Sequence, residues 1–206
     1  HADLQQQLDS LEPGSSFELP PETLSPLAIR VPGVTVSCAQ ETVIDGRGQG
    51  NTVDILAEGV TFSGCTVRNW GKDLNELDAG IFVAREASGS VVEDNRLQGP
   101  AFGVWLDATP DVTVRNNHIR GETSLRSQDR GNGIHLFNTT GALIEGNDIS
   151  QTRDAIYIET ANNNKILNNL MTDLRYGIHY MYSMRNLLEG NVTRGTRTGY
   201  ALMQSK

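Results

Sequence analysis

The chain has 206 residues, a formal charge of −8 and a pI near 5.0, a length that suits one elongated domain. That acidic balance excludes the basic face with which proteins grip nucleic acid or an anionic membrane surface, and no run of about 18 apolar residues is present to span a bilayer. Aromatic residues make up only 6% while glycines number 21, which fits a chain that turns often.

Residues 2–11 place Leu4, Leu8 and Leu11 on one face at helical spacing, and Pro13-Gly14 ends the run. The spacing predicts a short helix that caps the open edge of whatever follows. Residues 1–26, closing with the proline-rich stretch Leu19 to Pro26, are expected to form this cap and its lead-in.

From Leu27 onward the sequence repeats. Six short blocks share one pattern: Ala79-Gly80-Ile81-Phe82-Val83, Phe102 to Leu106, Asn132 to Leu136, Asp154 to Ile158, Tyr176 to Tyr180 and Thr198 to Leu202. They alternate an aliphatic residue with a variable one, as a half-buried strand does. Ile81, Val104, Ile134, Ile156 and Ile178 would make one inward stack, and Val83, Leu106, Leu136, Ile158 and Tyr180 a second. Between the blocks Asn95, Asn117, Asn147, Asn169 and Asn191 recur at steps of 22, 30, 22 and 22 residues. A polar residue at fixed phase in so short a period is the mark of a solenoid. The turn is too short for two helices and too rich in β-formers for one. The fold class is therefore all-β: a right-handed parallel β-helix of about 22-residue coils, occupying 27–206. A ladder of buried asparagines would brace its corners by amide bonding from coil to coil. Because a natural solenoid closes with a cap and this one stops within a coil, leaving Tyr200 and Leu202 uncovered, it is expected to be the N-terminal part of a longer solenoid.

Cys38 and Cys65 are 27 residues apart, about one coil. They could stack and form a disulfide in an oxidising compartment, but two buried thiols are the simpler expectation. Two coils are longer than the rest, by Trp70 to Asp78 and by Gly121 to Gly131. Both insertions share one phase, so both loops should project from the same corner. Asp45 to Gly50 is glycine-rich yet lacks the Lys-Ser/Thr of a phosphate loop, and reads as a turn.

Alternation sends two columns outward: Phe82, Trp105, His135, Tyr157, His179 and Ala201, then Ala84, Asp107, Phe137, Glu159, Met181 and Met203. His179, Met181 and Met203 thus share a surface stripe, with Met184 at the next corner. Thioether sulfur is soft and selects copper(I), and imidazole accepts either copper state; packing against a partner would account for the methionines equally well. His135 belongs to the same column and is a further candidate, although two rungs, about 10 Å, separate it from His179 and exclude joint ligation. A polysaccharide-active enzyme or lectin would use Asp107, Tyr157 and Glu159 instead. Asp107 and Glu159, again about 10 Å apart, exceed even the wide carboxylate spacing of inverting glycosidases. Arg153 and Asp154 read as a solvated turn.

The strings Arg153-Asp154-Ala155-Ile156-Tyr157-Ile158-Glu159, Leu174-Arg175-Tyr176-Gly177-Ile178-His179-Tyr180-Met181-Tyr182-Ser183 and Gly199-Tyr200-Ala201-Leu202-Met203 resemble the NosD family of periplasmic β-helix proteins. The resemblance implies a non-enzymatic accessory role in maturing nitrous oxide reductase. Its implied partners are an ABC permease and ATPase, a copper chaperone and the reductase itself, and they would hold the chain peripherally at the membrane. It implies transient copper binding, as copper(I), at His179, Met181, Met203, Met184 and His135. Met184 departs from the family pattern, which leads one to expect histidine after Tyr182-Ser183.

Overall fold

The computed structural model describes residues 2–203 and 205. Gln204 and Lys206, at the end of the expected solenoid, lie outside them. Short parallel strands stack coil upon coil into two sheets. One sheet runs from Ser16–Leu19 through Thr35–Cys38 and onward to Leu187–Glu189. The other carries the remaining two faces and is continuous because Leu170–Met181 and Val192–Met203 are unbroken strands that cross both. This is the parallel β-helix the repeat demands. Ser16–Leu19 and Thr23–Leu24 already pair with the following coil, so the lead-in itself contributes strands.

Both apolar stacks are inward. Ile81, Val104, Ile134, Ile156 and Ile178 are buried, as are Val83, Leu106, Leu136, Ile158 and Tyr180. The asparagine ladder runs beside them. Asn117 Oδ1 accepts from both the backbone N–H and the side-chain amide of Asn95, each at 3.1 Å, and Asn147, Asn169 and Asn191 repeat the arrangement. Every rung also donates to a carbonyl, such as Phe62 for Asn95, so the buried amides are satisfied. The residue before each ladder asparagine is left-handed: Asp94, Asn116, Gly146, Asn168 and Gly190. Only Gly, Asn and Asp adopt that conformation at low cost, which explains why polar pairs mark these corners.

The helix Ala2–Asp9 closes the first coil. Leu8 is buried in the core, and the Gln5 amide pairs with both backbone groups of Ala28 at 2.9 Å, imitating a further strand on the edge of Leu27–Ile29. Cys38 and Cys65 are joined as a disulfide, with Cα atoms 5.0 Å apart. The expectation of two thiols is thereby corrected: parallel register brings them onto adjacent rungs within bridging distance.

The two long loops do leave the same corner, and together Lys72, Asp73, Leu74, Asn75, Leu125 and Asp129 line an open hollow of about 520 Å³. Trp70 turns inward beneath them and is wholly buried. Its ring lies where a side chain on Gly99 would fall, so that position admits only glycine.

Candidate functional site

Register pairs place Phe82, Trp105, His135, Tyr157, His179 and Ala201 in one column, and Asp107, Phe137, Glu159, Met181 and Met203 in the next. The first column is not the open stripe that alternation suggests. Its rings pack on one another: Trp105 stacks on His135 at 4.1 Å and His135 on Tyr157 at 4.7 Å, while Tyr157 meets His179 tilted, at 4.3 Å between centroids. Residues three positions earlier in each coil flank the rings, as Phe102 does Trp105 and Tyr176 does His179, both edge-on. Trp105, His135 and His179 are consequently each only 5% exposed.

The two histidines meet different neighbours. His135 lies 2.8 Å through Nε2 from Glu159 and 3.2 Å through Nδ1 from the Asn132 amide. The amide donates to Nδ1, so the proton of the neutral ring sits on Nε2 and is given to Glu159. Burial holds His135 below the ordinary histidine value, more strongly than Glu159 raises it. The hydrogen bond from His135 in turn holds Glu159 below its ordinary value.

His179 is held from its other side. Its Nδ1 is 3.0 Å from Asp154 Oδ2. Asp154 is fully buried and also receives a bidentate fork from Arg175, at 3.0 and 2.8 Å, and the backbone N–H of Tyr176. That hydrogen bonding pushes Arg175 further above its ordinary value. With Nδ1–H donated to the carboxylate, the His179 Nε2 lone pair is left bare, and it is a buried atom without a hydrogen-bond partner. An unsatisfied buried acceptor costs about 1–3 kcal/mol. The Asp154–imidazole pairing is also the way proteins orient a metal-ligating histidine. Asn132, Arg153, Asp154, Tyr157, Arg175 and His179 line a cavity of about 230 Å³ beside the ring.

Met181 follows His179 on the same strand and face, about 7 Å along it, and Met203 is its register partner one rung away. Met181 is partly exposed, and Met203 and Met184 are exposed at 40% and 38%. The register thus sets His179, Met181 and Met203 on one sheet face, with Met181 two residues beyond His179 and Met203 one rung from Met181. Met184 lies past the Ser183 corner, where its N–H donates to Asn162. His135 is two rungs away behind Tyr157 with both ring nitrogens engaged. Asp107 accepts from the Trp105 indole at 3.1 Å, and Phe137 separates it from Glu159. Asp154 is not the solvated turn residue expected from sequence: the ion pair and the imidazole bury it completely. Its one sequence signal is a carboxylate at a block position that Ala79 and Phe102 fill with apolar groups.

Residues 115–206 match the sequence model of the family described as periplasmic copper-binding protein (NosD), and residues 28–125 match that of the right-handed beta helix region. Over 117 residues the chain is 51% identical to a protein of Pseudomonas aeruginosa, and 48% identical to one of Stutzerimonas stutzeri, each named a probable ABC transporter binding protein NosD. The second half of the chain is thus similar to the NosD family. The aligned stretch is 57% of this chain and 27% of each relative, so the chain spans well under two thirds of the relatives it matches. Among solved structures it is similar to the catalytic unit of a thermostable α-1,3-glucanase from Streptomyces thermodiastaticus, with a TM-score of 0.70, 19% identity and coverage of 94% of this chain and 43% of that one. It is also similar to an alginate lyase solved with a trisaccharide, with a TM-score of 0.64, 15% identity and coverage of 93% and 51%. At these identities the likeness is one of fold. No helix among the described residues is long and apolar enough to cross a membrane.

Proposed function

We propose that this chain works in the periplasm as a non-enzymatic copper-handling component of an ABC-type assembly that matures nitrous oxide reductase. It receives copper from a chaperone and presents it, while a partner permease and ATPase supply the energy. Copper is cargo here. The observation that carries the reading is the His179 Nε2 lone pair, oriented by Asp154 and left without a partner on the strand that also presents Met181. One imidazole with the thioethers of Met181 and Met203 is a soft donor set suited to copper(I), and it carries no charge that would bind hard cations. Few and neutral donors favour release to an acceptor. Met184, exposed at the next corner, is a supplementary thioether for transfer; His135, saturated by Asn132 and Glu159, is left out of the donor set.

A polysaccharide-active reading has less support. Glu159 and Asp107 are each committed to a ring N–H, and the faces of His135 and Tyr157 that would stack on a sugar are covered by neighbouring rings. The test is anaerobic titration with copper(I) against a competing chelator, comparing the parent with a His179→Ala, Met181→Ala, Met203→Ala variant. The proposal expects stoichiometric binding by the parent and its loss in the variant; equal binding by both would sink it. Release of reducing or unsaturated sugar from uronate polymers would overturn the non-enzymatic assignment.

A further inference from the structure

One edge of the later coils carries an arginine on every rung. The Arg153 N–H donates to Gly131 at 3.0 Å, next to Arg130, and the Arg175 N–H donates to the Arg153 carbonyl at 2.8 Å. The pairs Leu174 with Thr196 and Tyr176 with Thr198 then set Arg175 opposite Arg197. Arg130, Arg153, Arg175 and Arg197 therefore climb the coil axis over about 14 Å, at about 4.8 Å per step. All four line one cavity of about 540 Å³, walled on its far side by Ser127 and Gln128 of the long loop. It shares Arg153 and Arg175 with the smaller cavity at His179.

These charges are largely unspent. Arg130 donates to the carbonyls of Thr123, Leu125 and Gln151, which fix its side chain without neutralising it. Among the described residues the side chains of Arg153 and Arg197 make no hydrogen bond or ion pair; only Arg175 is paired, to Asp154. Asp173 is the other carboxylate at the cavity, leaving a surplus of two positive charges on a chain whose formal total is −8. Like charges stacked one rung apart repel and persist at no benefit to the fold unless something anionic joins them.

The geometry points to this cleft as the docking site for an acidic, extended polypeptide segment of a partner protein, whose Asp and Glu carboxylates are taken by the guanidinium forks of Arg153 and Arg197, with Arg130, held by carbonyls, adding its charge. A single small oxyanion reaches at most two rungs, whereas the basic line spans four. An anionic polysaccharide shares the charge but is gripped by free aromatic faces, and this cleft has no aromatic lining. Leu174 and the Ser127 and Gln128 side of the cleft suit a peptide. The inference does not depend on the copper reading, since it rests on the charge of the cleft, although Arg153 also lines the cavity at His179.

The test is fluorescence anisotropy of a labelled hexaglutamate peptide titrated with the full chain at low ionic strength. Three proteins are compared: the parent, an Arg153→Ala, Arg197→Ala variant and an Arg85→Ala control that removes an exposed charge elsewhere. Neither Arg153 nor Arg197 holds a buried carboxylate, so the double variant keeps its fold, which circular dichroism checks. The expected result is saturable binding by parent and control, weakened about tenfold or more in the double variant and abolished by salt. Polygalacturonate and inorganic phosphate should compete poorly. Absence of peptide binding, equal weakening by Arg85→Ala, or displacement by polygalacturonate as effective as by unlabelled peptide would each overturn the proposal.

Discussion

The rungs at His135 and His179 are built from the same parts and end in opposite states. Each presents an imidazole in one aromatic column, each imidazole meets a carboxylate, and the Tyr157 ring lies between them. At His135 the carboxylate takes Nε2 and Asn132 takes Nδ1, so the ring is closed. At His179 the carboxylate takes Nδ1, and the other nitrogen is open. The difference comes from where the acid stands. Glu159 lies in the second outward column and reaches across to the far nitrogen; Asp154 starts the block and approaches from behind. A histidine and an acid do not define a site until the nitrogen facing the acid is known.

The largest effect that separates the rungs is expected at their carboxylates. Asp154→Ala strands the Arg175 charge and the His179 N–H together, and loss of one partner of a buried pair costs about 3–5 kcal/mol. Glu159, with its side chain 35% exposed, should cost about 1 kcal/mol on the same substitution. Urea unfolding of the two variants measures this directly, and equal losses would erase the distinction. Next comes the metal. His179→Ala should weaken copper(I) binding by at least about tenfold, in the range seen when a metal site loses a fixing interaction, whereas His135→Ala should leave it unchanged. Met181→Leu and Met203→Leu each remove one sulfur at nearly constant volume; stability should shift by less than about 1.5 kcal/mol while chelator competition registers weaker copper(I) binding. If neither substitution alters copper affinity, the thioethers are packing groups and the site is His179 alone.

The smallest effect is pH dependence, and it belongs to the closed rung. Folding holds His135 below its ordinary value of 6.5. As pH falls through that value the unfolded ring takes up a proton that the folded ring resists, so stability is full above it and declines below. Glu159, held below its ordinary value of 4.5, contributes stability above that value and loses it as pH drops through the lower folded one. The urea midpoint should therefore fall from pH 7 to pH 5 and fall further toward pH 4. His135→Asn should flatten the upper part of that slope. An unchanged slope in His135→Asn would mean that the buried ring is not the group titrating.

What the sequence revealed and what it hid divide along physical lines. The coils, both apolar stacks and the asparagine ladder follow from a strict period, because each rung repeats one set of local demands: an inward aliphatic, a left-handed corner, an amide that must find its partner above. The same period put His179, Met181 and Met203 on one face. It could not reveal that Asp154 turns back onto His179, since the contact spans 25 residues of sequence and depends on how a side chain leaves the corner. It also gave the ring column as exposed, because alternation reports direction and not cover; the rings and the residues three positions before them cover one another. The cysteines were expected as thiols for a similar reason: one coil of separation fits both a bridge and two thiols until the 5.0 Å between Cα atoms is known. Arg130, Arg153, Arg175 and Arg197 were legible as a period but were dispersed among variable positions.

The most direct test of the difference between the rungs is a long-range proton–nitrogen correlation spectrum of the histidine rings, recorded anaerobically during addition of copper(I), which is diamagnetic. The apo spectrum should show His179 protonated on Nδ1 and His135 on Nε2. Copper(I) should then move the His179 Nε2 resonance at substoichiometric addition and leave both His135 nitrogens in place. A spectrum in which the His135 resonances move first, or in which the His179 Nε2 stays fixed while copper(I) binds, would contradict the account.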